Sequence, residues 1–240
     1  MSESSIPQNG NHILASLPPD AYRRLQPHLT LVDLPNGMPI YEAGGPVKYV
    51  YFPINALISM VNQMSNGSTV EVGIVGRGGM SGITALMGEE TSTERALVQI
   101  PNSGMRTTLA VIKEEFNRGG ALQNTLLRYM RVYLKQVAQT AACNATHTTE
   151  ERLARWLLMC QEHVGTNDIR LTQEFISEML ATRRATVSLA ASALQVEGLI
   201  EYRRGFIRIL DLKALEDYSC ECYKAVKDEF DRLLGPIGDS

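Results

Sequence analysis

Leu171 to Ile200 reads LTQEFISEMLATRRATVSLAASALQVEGLI, and its spacing predicts two short helices joined by a tight turn. Thr172 sits where a helix N-cap belongs, and Phe175, Ile176, Met179 and Leu180 form the apolar stripe of the first helix. Ala181 takes a turn position where only a small residue packs well. Thr182 caps the second helix, whose Val187, Leu189, Ala190 and Leu194 can face a core. Arg183, Arg184, Thr186 and Ser188 cluster at the start of that second helix. A recognition helix needs this arrangement, because its N-terminal side chains reach base edges in the major groove. The alternative is an ordinary helical hairpin with a solvated arginine pair, since short motifs carry false positives.

The residues after the second helix favour DNA. Leu199 to Tyr202, then Arg203-Arg204-Gly205, then Phe206 to Leu210 reads as strand, turn, strand, with Gly205 supplying the turn. A hairpin beside a helix-turn-helix makes it a winged one. Arg203 and Arg204 at the wing tip are placed to meet phosphate oxygens, contacts that fix register without reading sequence.

The whole chain has 240 residues, enough for two domains of ordinary size. It has no apolar run long enough to cross a membrane, and MSESSIPQNGNH at the start lacks the basic and apolar regions of a signal peptide. A cytoplasmic protein with no membrane partner is the expectation. The net charge of −3 requires any nucleic-acid site to be a local patch. Cys143, Cys160, Cys220 and Cys222 show no CxxC spacing and are expected to stay reduced. Residues up to about Asn11 read as a disordered tail. His12 to Leu29 reads as a short helical pair that buries Leu14, Leu17, Leu25 and Leu29, with Pro18-Pro19 opening the second piece.

From Leu31 to Leu109 the pattern turns to short strands. Gly37 and Gly44-Gly45-Pro46 mark turns around Met38 to Tyr41, and Val47 to Phe52 comes next. Ala56 to Met64 and Thr69 to Val75 flank an Asn66-Gly67 hairpin turn. Arg95 to Ile100 and Met105 to Leu109 come last, separated by Pro101 to Gly104. Regular short strands with turn signals between them argue for a jelly roll.

Pro39-Ile40-Tyr41-Glu42-Ala43-Gly44, followed by Tyr49-Val50-Tyr51-Phe52, resembles the opening of a cyclic-nucleotide-binding β-roll. With the winged helix-turn-helix downstream, His12 to Leu212 resembles the Crp/Fnr family of bacterial transcription regulators. The fold expected is α+β: an N-terminal antiparallel β-roll (jelly roll) over 12–120, a long dimerisation helix and hinge over 121–147, a winged helix-turn-helix DNA-binding domain over 148–212, and a C-terminal helix over 213–240.

The effector segment departs from the family. Cyclic-AMP-binding members carry a glutamate for the ribose and an Arg-Ser pair for the phosphate. Here Ile83 stands near the glutamate position, and Arg95 is shifted by one residue, which in a strand turns a side chain to the other face. The cyclic AMP site is therefore not carried over, and the effector is left unknown. Arg95 is the one candidate effector contact, with a surface or structural arginine as the preferred reading. The glycine run from Gly73 to Gly82 lacks both the Gly-x-Gly-x-x-Gly spacing and a Walker lysine.

No metal site is expected. No cysteine precedes Cys143, where iron–sulfur members carry theirs, and Cys220 and Cys222 would diverge on a helix and need ligands from His163 or a second chain. Nothing in the spacing of His12, His28, His147 and His163 favours haem. Nor does the chain offer a nucleophile motif, a metal triad or paired carboxylates, so it reads as a non-enzyme.

Leu122, Leu126, Tyr129, Met130, Tyr133, Val137 and Ala141 recur every three or four residues, close to a coiled-coil seam. The resemblance implies a homodimer through this 122–143 helix, while a helix packed on its own roll fits the stripe as well. A capping box at Thr148-Thr149-Glu150-Glu151 starts the next helix, with Leu153, Trp156, Leu157 and Cys160 as core, and Asn144 to His147 as hinge. After Asp211 one last helix carries Leu215, Tyr218, Cys222, Val226, Phe230 and Leu233, docked on the winged domain.

The resemblance implies a sequence-specific regulator reading an inverted repeat in double-stranded DNA, with RNA polymerase a further candidate partner. Arg184 takes the place of the family's base-reading arginine, which grips a guanine through O6 and N7. Arg183, Thr172, Thr186 and Ser188 would hold phosphates. Ala185 replaces a base-reading glutamate, so a different half-site is expected. The competing readings are a cyclic-nucleotide-binding signalling module whose helix-turn-helix serves protein interaction, and an enzyme on a β-roll scaffold.

Overall fold

The computed structural model describes residues 10–203 and 205–237. Two short helices, α1 (His12–Ala15) and α2 (Pro19–Leu25), open the chain. Leu14, Leu17, Leu25 and Leu29 are all buried, as the periodicity predicts. The tail expected up to Asn11 lies mostly outside the described residues, but Asn11 itself is firmly held. Its side chain caps α1, and its amide donates to the carbonyls of Pro53 and Gly79, both at 2.9 Å. These hydrogen bonds to a buried amide offset its desolvation and pin the amino-terminal helices to the roll.

The roll consists of two antiparallel sheets. One holds β1 (Thr30–Leu34), β7 (Asn102–Thr108) and β3 (Tyr49–Pro53) in that order. The other runs β2 (Pro39–Tyr41), β6 (Arg95–Ile100), β4 (Leu57–Gln63) and β5 (Thr69–Val75). Val50, Phe52, Ile58, Met60, Met80, Val98 and Met105 fill the space between them. One strand boundary differs from expectation. Pro101 alone separates β6 from β7, and Asn102 to Gly104 lie inside β7. Gly104 is there for closeness rather than for turning: a Cβ on it would meet Leu34 Cδ1 at 2.9 Å and the Phe52 carbonyl at 3.1 Å.

The glycine run has a similar explanation. A Cβ on Gly76 would collide with the His163 side chain, and one on Gly79 would collide with the Tyr129 phenol. The segment after β5 is thus a seam into which helical side chains press, not a phosphate cradle.

After α3 (Leu109–Arg118), the 26-residue α4 (Ala121–Thr146) presents two faces. Leu122, Leu126, Tyr129, Val132, Tyr133, Gln136 and Thr140 are buried against the chain's own roll and helices. Most of the stripe expected at a dimer seam therefore packs within the chain. Leu127 and Leu134, seven residues apart, remain exposed, with half-buried Met130 and Val137 and exposed Ala141 continuing their row.

The domain expected to read DNA, called the reader for that expectation, starts with α5 (Thr149–Val164), whose Thr148/Glu151 capping box forms as expected. It continues through β8 (Asp168–Arg170), α6 (Gln173–Met179), α7 (Arg184–Val196), β9 (Ile200–Arg203) and β10 (Phe206–Ile209). Its core holds Leu153, Trp156, Leu157, Cys160, Ile176, Val187, Leu194 and Ile207. The single last helix expected is in fact two. In α8 (Leu212–Tyr218), Leu215 completes the reader core, as docking on the winged domain requires; the chain then breaks at Ser219, whose backbone is extended, and α9 (Cys222–Leu234) lies chiefly along α4 and also along α5. Ion pairs of Arg131 with Glu229 at 2.9 Å and Lys227 with Glu162 at 2.8 Å bind α9 to both helices. Among the described residues no helix is long and apolar enough to cross a membrane.

Candidate nucleic-acid interface

Thr172 caps α6 through its hydroxyl, which accepts from the Phe175 N–H at 3.2 Å. The second cap falls one residue later than expected: Arg183, not Thr182, precedes α7, and no side chain caps that end. Its first amide groups are therefore free to meet an acceptor from outside, and a helix N-terminus favours an anion. Arg183, Arg184 and Ala185 are exposed there, with Thr186 and Ser188 half-buried.

Ala181 has φ +48°, alone among described non-glycine residues in the left-handed region. The turn needs that backbone, and alanine fits it at a cost of about 1–2 kcal/mol. Ala181→Gly is accordingly expected to be neutral or to stabilise by up to about 1 kcal/mol, after the larger unfolded-state entropy of glycine is counted. Ala181→Val should cost about 1–2 kcal/mol. Thermal denaturation of the two variants gives the order, and equal stability would contradict the strained turn.

The helix face differs from expectation at Leu189, which is 70% exposed rather than in the core. Buried Val187, Ala190, Ala191 and Leu194 keep the three-to-four spacing, and Leu189 falls outside it. It instead extends the exposed row of Ala185 and Ser192, an apolar surface of the kind that meets thymine methyl groups.

The wing is a three-stranded sheet, because β8 pairs with the outer side of β10. Gly205 turns at φ +81°. Arg203 is exposed and rests on Glu201 at 2.6 Å. Arg208 grips Asp168 through two bonds of 2.7 and 3.2 Å, which commits it to the sheet rather than to a ligand. Arg204 lies outside the described residues. Exposed Arg170, opposite Phe206 in the ladder, is a further cation at this edge that the motif reading missed, since it lies on a strand the sequence did not signal.

The reader is docked on its own roll. Arg183 and Thr186 look across a cleft at Gly67 to Val70, the β4–β5 turn. Beneath it lies a polar junction. The Trp156 indole donates to Glu71 Oε1 at 2.8 Å, and the Ser59 hydroxyl lies 2.5 Å from Glu71 Oε2, touches Gln99 Oε1 and meets Met179 Sδ at 3.6 Å. Burial pushes the Glu71 carboxyl up to about 7, against the opposing pull of Ser59, Trp156 and Arg155. Trp156 is thus core, as expected, and also the link to the other domain.

The effector candidate is modest in structure. Arg95 opens β6 partly exposed, and its guanidinium pairs with Glu42 at 3.2 Å, so its charge is already answered. Ile83 is buried in the roll core. Tyr41 also fills the roll, its phenol oxygen accepting from the Gly82 N–H at 3.1 Å.

The cysteines depart most from expectation. Cys143 and His147 at the end of α4 meet Cys220 and Cys222, with the four donor atoms all within 4.8 Å of one another. His163, the further ligand considered from sequence, is instead half-buried and packed against Gly76. Cys160 lies apart in the reader core. Of the other histidines, His12 bonds the Leu234 carbonyl at 2.8 Å and His28 is exposed.

Comparison with known proteins places this geometry. Residues 151–218 match the Crp-like helix-turn-helix domain. No curated protein matches the chain by sequence. Among solved structures it is similar to FixK2 from Bradyrhizobium japonicum, with TM-score 0.68 and 17% identity over 80% of this chain and 98% of that one. It is also similar to a CRP-family transcriptional regulator from Thermus thermophilus, with TM-score 0.64 and 21% identity over 78% and 96% of the two chains. The c-di-GMP-responsive global regulator CLP of Xanthomonas campestris gives TM-score 0.61 and 14% identity over 80% and 99%.

Proposed function

This chain carries a Crp-like helix-turn-helix domain on the fold of the Crp/Fnr transcription regulators, and from that premise we propose that it is a homodimeric regulator reading an inverted repeat in DNA. The observation that carries the reading is the open start of α7, where Arg183 and Arg184 stand exposed at an uncapped helix N-terminus beside the wing. Arg184 reads a guanine through O6 and N7, while Ala185 and Leu189 offer apolar contact to thymine. Thr172, Arg183, Thr186 and Ser188 hold phosphates, and Arg203 exchanges Glu201 for one. Dimerisation uses the exposed row of Leu127 and Leu134 on α4 and sets two recognition helices about one DNA turn apart. The protein acts in the cytoplasm, as a binder rather than an enzyme.

Selection of sites from random duplex DNA supplies the operator, and two variants then separate the roles. Arg184→Ala is expected to lose about 1–3 kcal/mol of discrimination at one base pair in each half-site while keeping its salt dependence. Arg203→Ala should weaken all sequences alike and reduce the salt slope by roughly one per half-site. Identical behaviour of the two variants would overturn the assignment of roles, and failure to select any sequence would overturn the function.

A further inference from the structure

We propose that Cys143, His147, Cys220 and Cys222 form a structural zinc site that fastens the end of α4 to the start of α9. Cys143 and His147 are four residues apart at the end of α4 and so share a face. Cys220 precedes α9 and Cys222 begins it. The chain turns a corner between them, from extended Ser219 to helical Glu221, and both thiols come to one side. A continuous helix would have sent them apart.

The distances suit one small ion. Cys143 Sγ lies 3.5 Å from Cys220 Sγ, and Cys222 Sγ lies 3.6 Å from His147 Nδ1. Zinc bound tetrahedrally at about 2.3 Å from sulfur and 2.0–2.1 Å from nitrogen needs donor separations of roughly 3.5–3.8 Å. The widest separation, within 4.8 Å, closes by about 1 Å with small side-chain rotations. An iron–sulfur cluster would instead need its ligands spread around a core of several atoms.

The surroundings support the same assignment. His147 Nε2 is 3.1 Å from Glu221 Oε2, the carboxylate–histidine pairing that leaves the other ring nitrogen for a metal. Thr146 Oγ1 lies 3.2 Å from Nδ1, but its proton goes to the Ala142 carbonyl at 2.8 Å. Gln139 donates to Cys222 Sγ at 3.1 Å. Three thiolates and one histidine around Zn²⁺ leave a net charge of −1. Two buried guanidiniums from α5, Arg152 and Arg155, act electrostatically on this cluster, and each has an Nε with no hydrogen-bond partner among the described residues. A buried anionic complex gives those cations a counter-charge, which neutral thiols do not.

Loading replaces the three thiol protons by the ion and releases them to solvent. The ion then clamps the last turn of α4 against α9, independently of whether the protein binds DNA.

The test uses the full chain, purified reduced and without a histidine tag. Elemental analysis should find about one zinc per chain, and cobalt exchanged for it should show the intense visible bands and sulfur charge transfer of a tetrahedral thiolate site. Cys222→Ser and His147→Ala should lose the metal, and Cys160→Ser should keep it. Glu221→Gln, an exposed change that leaves the thiols intact, should weaken zinc by roughly 10–100-fold against a competing chelator. No stoichiometric zinc together with no cobalt–thiolate spectrum in the folded wild-type chain would overturn the site. So would a Cys143–Cys220 disulfide in protein trapped directly from cells.

Discussion

Leu127→Asp combined with Leu134→Asp is expected to convert the proposed dimer into a folded monomer and to lower affinity for the proposed inverted repeat by about 10²–10⁴. The two leucines are 47% and 56% exposed and lie one heptad apart on the face of α4 that points away from the roll. Such a row is the signature of a helix waiting for a partner helix. Burying a leucine side chain is worth about 1.5–3 kcal/mol, and a symmetric pair buries each one twice. Aspartates there forfeit that gain and place unpaired charges in the seam. The fold should survive, because Leu126, Tyr129 and Tyr133 hold α4 to the roll from its other side. The loss on DNA is large because a dimer binds its second half-site intramolecularly. Sedimentation of both proteins and titration of whole and half operators check the prediction. A double variant that stays dimeric, or a wild type that is monomeric, would place the interface elsewhere.

Glu71→Gln should remove most of the fall in stability expected of the wild-type protein between about pH 5 and 8. The folded carboxyl is pushed from 4.5 up to about 7, chiefly by burial. The folded chain therefore binds the proton more tightly than the unfolded one, and stability falls as pH rises. Its contribution is complete below about 4.5 and lost through about 7. At about 1.4 kcal/mol per pH unit, the full span is on the order of 3 kcal/mol. Glutamine keeps an acceptor for the Trp156 indole and never ionises. Denaturant titrations at about pH 5.5 and 8 should show wild type weakening and the variant nearly level, with the variant the more stable at the higher pH. A wild type equally stable at both would mean that water or a cation reaches Glu71. The Glu71–Trp156 hydrogen bond also joins the roll to the carboxy-terminal domain.

Much of this protein was legible from local pattern. The hairpin around Asn66-Gly67, the Thr148/Glu151 box, the Thr172 cap and the Gly205 turn all form as read, because each depends on residues within one turn of chain. The winged helix-turn-helix came from a helical period giving way to alternation, and the exposed Arg183 and Arg184 from their place before the apolar stripe. Errors of one residue at Thr182 and three at Asn102 arise because caps and strand ends are shared with tertiary neighbours.

Other features belong to the packed chain alone. The apolar period of α4 runs nearly all the way round, so the sequence could not say which side faces the roll; burial of Tyr129 against Gly79 decides it. Leu189 left the core because Ala191 completes the buried row in its stead. Glu71 is an ordinary carboxylate in the alternation of β5 until Trp156, 85 residues later, covers it. The cysteines show no motif because their ligand set joins residues 77 apart across a helix break. The sequence by itself determined most of the elements, their order and the exposed start of α7, but not α3, β8 or the break between α8 and α9, since what it determined rests on periodicity and turn chemistry between near neighbours. Only the tertiary structure decided the free face of α4, the buried carboxyl between the domains and the convergence of three thiols on one histidine. Each of these requires distant segments to meet, and no local spacing encodes which surfaces will.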